Sequence, residues 1–313
     1  MNKRYDEINN YYYSVNNSGM DTERYIELMN DTNEIYLDKL NEQGYSSSNL
    51  FITSNGFFET IAPIHADFYS WNIVFNKKIK NQYLCDYISF SAMSLFSDYG
   101  SYEDHRECFY IPLYKQGVAL LYFMSCNRLD IARYCYPFII DGLKSASTDE
   151  LRELEVQKLG VLAIEMLASE NSQVIDWDSM QIPYDRFYRD FVREVLYSKD
   201  ENVLVDWLKG LCDNHLKWSA RSELVENESP LLGYEIAEDH QLLWPFEYQA
   251  VRNFRTKYGL STPEIEHPLL KTPMAINHRP DFSQWKAPEW FYPLLDKLIA
   301  INPKISFVND LFK

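Results

Sequence analysis

Six histidines, His65, His105, His215, His240, His267 and His278, are the first side chains to weigh for chemistry, since imidazole serves both as metal ligand and as acid-base catalyst near neutral pH. A zinc peptidase places two of them one helical turn apart with a carboxylate, so that one face presents both rings to one ion. No pair in this chain has that spacing. His240, His267 and His278, with Glu266 beside the second, are the residues from which a metal-dependent hydrolase would have to be built. His215 lies in an apolar helical stripe and reads as a hydrogen-bonded core residue. Asp104-His105-Arg106-Glu107 gathers acid, base and cation, but neighbours in a helix do not face one another, and a solvated surface turn is the better reading. Asp176-Trp177-Asp178 suits either a cation or sugar held against an indole or a capped loop.

Other chemistries lack their signatures. Phosphate cradling needs closely spaced glycines, and neither GxGxxG nor GxxxxGK[ST] occurs. The G-x-S-x-G elbow of serine hydrolases is missing too. The five cysteines, Cys85, Cys108, Cys126, Cys135 and Cys212, are scattered through apolar patterns with no CxxC pair, as buried free thiols are. The expectation is therefore a protein that binds and does not catalyse, with no catalytic residue, cofactor or metal.

Charge points the same way. Against 30 Lys and Arg stand 46 Asp and Glu, a formal net charge of -16, which disfavours nucleic acid and anionic lipid and favours basic partners. Residues 141 to 240 hold 22 acidic and 10 basic side chains, a balance of -12. Ser222 to His240 carries Glu223, Glu226, Glu228, Glu235, Glu238 and Asp239 with no Lys or Arg, and Tyr234 lies among them. These seven residues are the expected partner-binding set, with Trp218, Tyr234 and Trp244 as candidate aromatic anchors. The N-terminus has no apolar signal core and no stretch is long enough to cross a membrane, so the expected location is the cytoplasm.

The elements that must position these residues read as helices, because apolar positions recur mainly with the 3.6-residue period and only 10 glycines interrupt them. The expected fold is all-α, a multi-helix array of antiparallel hairpins with few or no strands. A first helix runs from the caps Asp21 and Thr22 to near Gly44. Ser46 to Phe58 is turn-rich and predicts a connection. Tyr83 to Phe96 is helical and ends at Asp98-Tyr99-Gly100. Leu113 to Cys126 and Leu129 to Leu143 pair across Asn127-Arg128, with Pro137 expected to kink or shorten the second. The capping box Ser147-Thr148-Asp149-Glu150 opens a helix reaching Leu167 and predicts a boundary, giving regions 1–145 and 146–313, or one continuous domain. Tyr184 to Leu196 and Asn202 to Trp218 form a further hairpin, Trp244-Pro245-Phe246 opens a helix closed at Gly259, and a last helix lies near Trp290 to Ile301.

The hairpin Tyr184-Asp185-Arg186-Phe187-Tyr188 to Trp218, the opening Leu243-Trp244-Pro245-Phe246-Glu247, and the tail Gly259-Leu260-Ser261-Thr262-Pro263 with His267-Pro268-Leu269-Leu270 resemble the mostly helical immunity proteins of bacterial polymorphic toxins, including those that neutralise cytoplasmic DNases. The resemblance covers about residues 180 to 275. It implies tight one-to-one binding of a cognate toxin domain, by occluding its active site, and an acidic face suits a basic toxin. The alternatives from other classes are the metal-dependent hydrolase and a helical adaptor or scaffold.

Overall fold

The computed structural model describes residues 2–41, 47–105, 111–145, 155–220 and 233–313. It is all-α: α1 (Asn2–Gly19), α2 (Thr22–Asn41), α3 (Ser47–Val74), α4 (Asn81–His105), α5 (Leu113–Ser125), α6 (Leu129–Ser145), α7 (Leu159–Glu170), α8 (Arg186–Asp190), α9 (Glu201–Lys217), α10 (Phe246–Lys257), α11 (Phe291–Ile301) and α12 (Val308–Leu311). Among the described residues no strand forms; two isolated parallel bridges join Gln157 to Tyr184 and Ser219 to Ile236. No helix among them is long and apolar enough to cross a membrane.

The chain forms two compact units, one of Met1–Val15 with Pro112–Arg279, the other of Asn16–Ile111 with Pro280–Lys313. The boundary expected between residues 145 and 146 does not separate them. Helix α5 packs on α7 inside one unit, and α6 packs on both. The reason is close approach: a Cβ on Gly117 would overlap the backbone of Gly160, so α5 and α7 meet through two glycines. The capping box at 147–150, the stop at Gly44, Cys108 and Arg106-Glu107 lie outside the described residues.

In the second unit α3 and α4 form the main pair, with α2 and α11 against α3. From Ser47 on, the stretch expected to be a connection as far as Phe58 is instead the first part of α3. Its small polar residues serve packing: Ser54 is fully buried, and the Asn55 amide donates to the Ser94 carbonyl at 3.1 Å. Tertiary burial here outweighs the local turn preference of Ser-Asn-Gly. Helix α4 likewise runs past Gly100, where the Phe51 ring fills the space a side chain would need. An aromatic core of Phe58, Phe90, Trp290 and Phe291 ties α11 to this pair, with Phe90 and Trp290 5.5 Å apart.

In the first unit α10 packs on α5 and α9 on α10. Residues 184–196 form the short α8 and then a π-helical turn, Phe191–Val195, which still buries Tyr188, Phe191, Val192 and Val195 as the periodicity predicts. Phe246, Ala250, Val251 and Phe254 are core residues of α10, and Gly259 ends it at φ 68°, a left-handed position that glycine adopts without strain. Cys85, Cys126, Cys135 and Cys212 are buried free thiols. Residues 2–19 form α1, ahead of the first helix that the sequence marks, and its Arg4 donates to the carbonyls of Leu216 and Ser219 at the end of α9.

Candidate functional site

Four chain segments converge where the acidic run re-enters the fold. Gln157 N–H donates to Pro183 O and Asp185 N–H to Gln157 O, both at 2.9 Å. Ala220 N–H donates to Ile236 O at 2.9 Å, and Ile236 N–H to Trp218 O at 3.2 Å. The two bridges thus bring 155–158, 183–185, 218–220 and 233–236 into one junction within the first unit.

Glu235 sits at its centre. Only 5% exposed, its carboxylate accepts from the N–H of Lys158 at 2.9 Å and of Leu159 at 2.7 Å, the first amides of α7. A helix start leaves such amides without intrahelical partners, and an anion there also meets the positive end of the helix dipole. Burial pushes the Glu235 carboxyl up to about 7, against the opposing pull of those amides and of Lys158. The Lys158 ammonium lies 3.8 Å from Glu235, donates to Gly233 O and Val156 O, and stands 4.2 Å from the Trp218 ring centroid. Lys217 approaches the same indole at 4.4 Å, and Tyr234 meets it edge-on at 6.4 Å.

This corrects part of the expected partner-binding set. Glu235 is a buried helix anchor and presents no charge to a partner. Trp244, a candidate anchor, is fully buried, its indole N–H donating to Gln249 at 2.8 Å. Tyr234 is half-buried against Trp218, Asp239 is half-buried, and Glu238 is exposed, capping the short turn Asp239–Gln241 together with Gln241. Glu223, Glu226 and Glu228 lie outside the described residues. A run without Lys or Arg in sequence therefore acquires Lys158 in space, while Lys217 lies over the neighbouring Trp218 ring and Arg4 on the carbonyls of Leu216 and Ser219.

The histidines proposed as metal ligands are spent on the protein itself. His267 Nε2 lies 3.0 Å from Asp213, and its Nδ1 accepts from Leu269 N–H at 3.2 Å. His278 Nε2 lies 2.9 Å from Met274 O, with its ring 4.1 Å from that of Trp244, and burial lowers its pKa to about 4. The ring of His240 packs 5.9 Å from that of Tyr122. Glu266 is turned to solvent, paired with Lys271 at 2.5 Å. Among the described residues no group of three or more His, Cys, Asp and Glu could hold a metal ion. His215 is the hydrogen-bonded core residue its stripe predicts: Nδ1 is 2.8 Å from Glu247 and Nε2 is 3.1 Å from Leu242 O.

Asp176 and Asp178 cap a loop: Asp176 accepts from Ser179 N–H at 3.0 Å, and the intervening Trp177 is buried, donating to Glu165 at 2.6 Å. No indole face is left for a sugar.

One titratable cluster in the second unit escaped the sequence. Tyr25 of α2, His65 of α3 and Asp86 of α4 meet there: His65 Nδ1 is 3.2 Å from the Tyr25 hydroxyl and 3.3 Å from Asp86. Asp86 also accepts from Trp285 at 2.8 Å and Gln82 at 3.0 Å. Burial raises the Asp86 carboxyl to about 7 and lowers His65 to about 3. The groups lie 40 and 21 positions apart on three helices, so no local motif marks them. Comparison of the chain with protein-family models, with curated proteins and with solved structures finds no match.

Proposed function

We propose that this protein is an immunity-type inhibitor that binds a cognate toxin domain through an acidic surface of its first unit and occludes a basic active site. The observation that carries the reading is the charge: -16 overall, with a balance of -12 in residues 141 to 240. After subtraction of the buried Glu235, solvent-facing acids remain on that stretch, among them Asp176, Asp178, Glu194, Glu201, Asp206 and Glu238. Such a surface speeds association with a basic partner and imposes a salt dependence on it. The likeness of residues 180 to 275 to helical immunity proteins supports the same reading, and so do the structural duties of His215, His267 and His278. The metal-hydrolase alternative finds no ligand set among the described residues.

Co-expression with the product of the adjoining reading frame tests the proposal. A one-to-one complex is expected, weakening as NaCl rises from roughly 50 to 500 mM. Glu226→Lys, Glu228→Lys and Glu238→Lys together should reduce affinity about tenfold or more and flatten that dependence. Failure of the two products to associate, or an affinity indifferent to salt and to the triple substitution, overturns it.

A further inference from the structure

A cleft of about 540 Å³ opens in the first unit between α6, the end of α7 with the turn that follows it, and the C-terminus of α10. That volume lies in the range of small-molecule sites. Its apolar wall is open to solvent: Pro137 of α6 is exposed, and Tyr258 is 41% exposed while it packs on Phe254 at 5.1 Å and meets Tyr197 edge-on at 5.6 Å. Those two contacts hold the Tyr258 ring in place and leave part of it to the cleft.

Charge in the cleft is balanced. Arg133 and Glu170 close on each other through Nε at 2.9 Å and Nη2 at 2.7 Å, and the Tyr258 hydroxyl joins the same carboxylate at 2.6 Å. Asp141 and Lys144 both line the α6 wall, three positions apart and therefore on one face of the helix. Two cations face two carboxylates, so the walls favour neither sign of ligand charge.

The amides of the turn after α7 are half-used, in opposite senses. Asn171 donates to Leu167 O at 3.1 Å, while its side-chain carbonyl accepts nothing among the described residues. Gln173 accepts from the Tyr136 hydroxyl at 2.5 Å, while its side-chain N–H groups donate to nothing among them. Lys144 has no hydrogen-bond or ion-pair partner among them either. A free acceptor and free donors therefore stand two residues apart in the turn, with an ammonium and a carboxylate on the α6 wall.

We infer that this cleft binds a neutral saccharide unit, whose hydroxyls donate to the Asn171 carbonyl and the Asp141 carboxylate and accept from the Gln173 amide and Lys144, while its C–H face covers Tyr258 and Pro137. A hydroxyl is donor and acceptor at once, so neighbouring groups of both kinds match it, whereas a carboxylate or an ammonium would meet one kind with its own like. Sugar C–H groups withdrawn from water against the tyrosine ring add an apolar contribution. This assignment is independent of toxin binding.

Titration of the full chain with glucose, galactose, mannose, N-acetylglucosamine and the disaccharides built from them, followed by the side-chain amide signals of Asn171 and Gln173 in NMR spectra, tests it. At least one sugar should saturate with a dissociation constant of about 1 mM or lower and move both signals. The uronic acid and the amino sugar of the same series should bind no more tightly than the neutral sugar. Lys144→Ala breaks no internal contact, and should weaken the sugar about threefold or more with the melting temperature unchanged. Tyr258→Ala should weaken it about fivefold, and Tyr258→Phe, which keeps the ring, should leave it near the parent. No saturation by any of these sugars, unmoved Asn171 and Gln173 signals, a charged analogue preferred about tenfold, or affinity indifferent to Lys144→Ala and Tyr258→Ala overturns the assignment.

Discussion

The carboxylate of Glu235 closes the first turn of a helix that begins 76 positions earlier, accepting the backbone amides of Lys158 and Leu159. Glu235→Ala leaves both amides buried without an acceptor, and Lys158 without its counter-charge. Stability should fall by about 1–3 kcal/mol. Glu238→Ala, at an exposed position, should cost about 1 kcal/mol or less. Urea denaturation of the two variants separates the anchor from its exposed neighbour, and equal losses would remove the anchoring role.

The glycines of the two main helix pairs should respond oppositely to alanine. A Cβ at position 117 overlaps the Gly160 backbone, which has no side chain to yield, so Gly117→Ala should destabilise by about 1–3 kcal/mol despite the better helix propensity. A Cβ at position 56 meets only the Tyr36 ring, at 3.6 Å, an ordinary contact. Gly56→Ala should therefore stabilise by about 0.5–1 kcal/mol. Denaturation midpoints give both signs.

His65 and Asp86 make a pH signature that is hidden in the parent and visible in single variants. Asp86 is raised from 3.8 to about 7, so the folded state holds a proton that the unfolded chain releases, and this contribution to stability fades as pH rises from 4 to 7. His65 is lowered from 6.5 to about 3, so the unfolded chain takes up a proton that the folded state refuses, and stability grows as pH rises from 3 to 6.5. Between about 4 and 6.5 the pair holds one proton in both states and the slopes cancel. The cost of Asp86→Asn should shrink as pH rises through that window, and the cost of His65→Gln should grow, each by roughly 2–4 kcal/mol. Parallel trends in the two variants would contradict the pairing.

Arg255, 1% exposed, holds three loop carbonyls with its guanidinium: Leu196 O at 2.5 Å, Ser198 O at 3.0 Å, and Ser261 O at 3.1 Å from Nε. A lysine offers a point charge in place of that planar fork and cannot reach all three. Arg255→Lys should cost about 2–4 kcal/mol and leave Leu196 and Ser198 amide exchange faster. Exchange at α5 should change only with global stability.

The sequence by itself settled the helical class, the course of α2, α5, α6, α9, α10 and α11 to within a few residues, and the buried roles of His215 and of the α10 core. Apolar spacing is a local property that one helix face must satisfy, so it is visible without the rest of the chain. What tertiary structure decided is where local and distant demands differ. Ser54, Asn55 and Gly100 favour a turn alone, yet burial against α4 and Phe51 holds them in helices. The -12 balance of residues 141 to 240 is exact as a count, but Glu235 enters the core to cap α7 and meets Lys158 there, 77 positions away in the chain. Charge adds along a sequence; the field a partner meets depends on which charges are buried and which opposite charges the fold sets beside them.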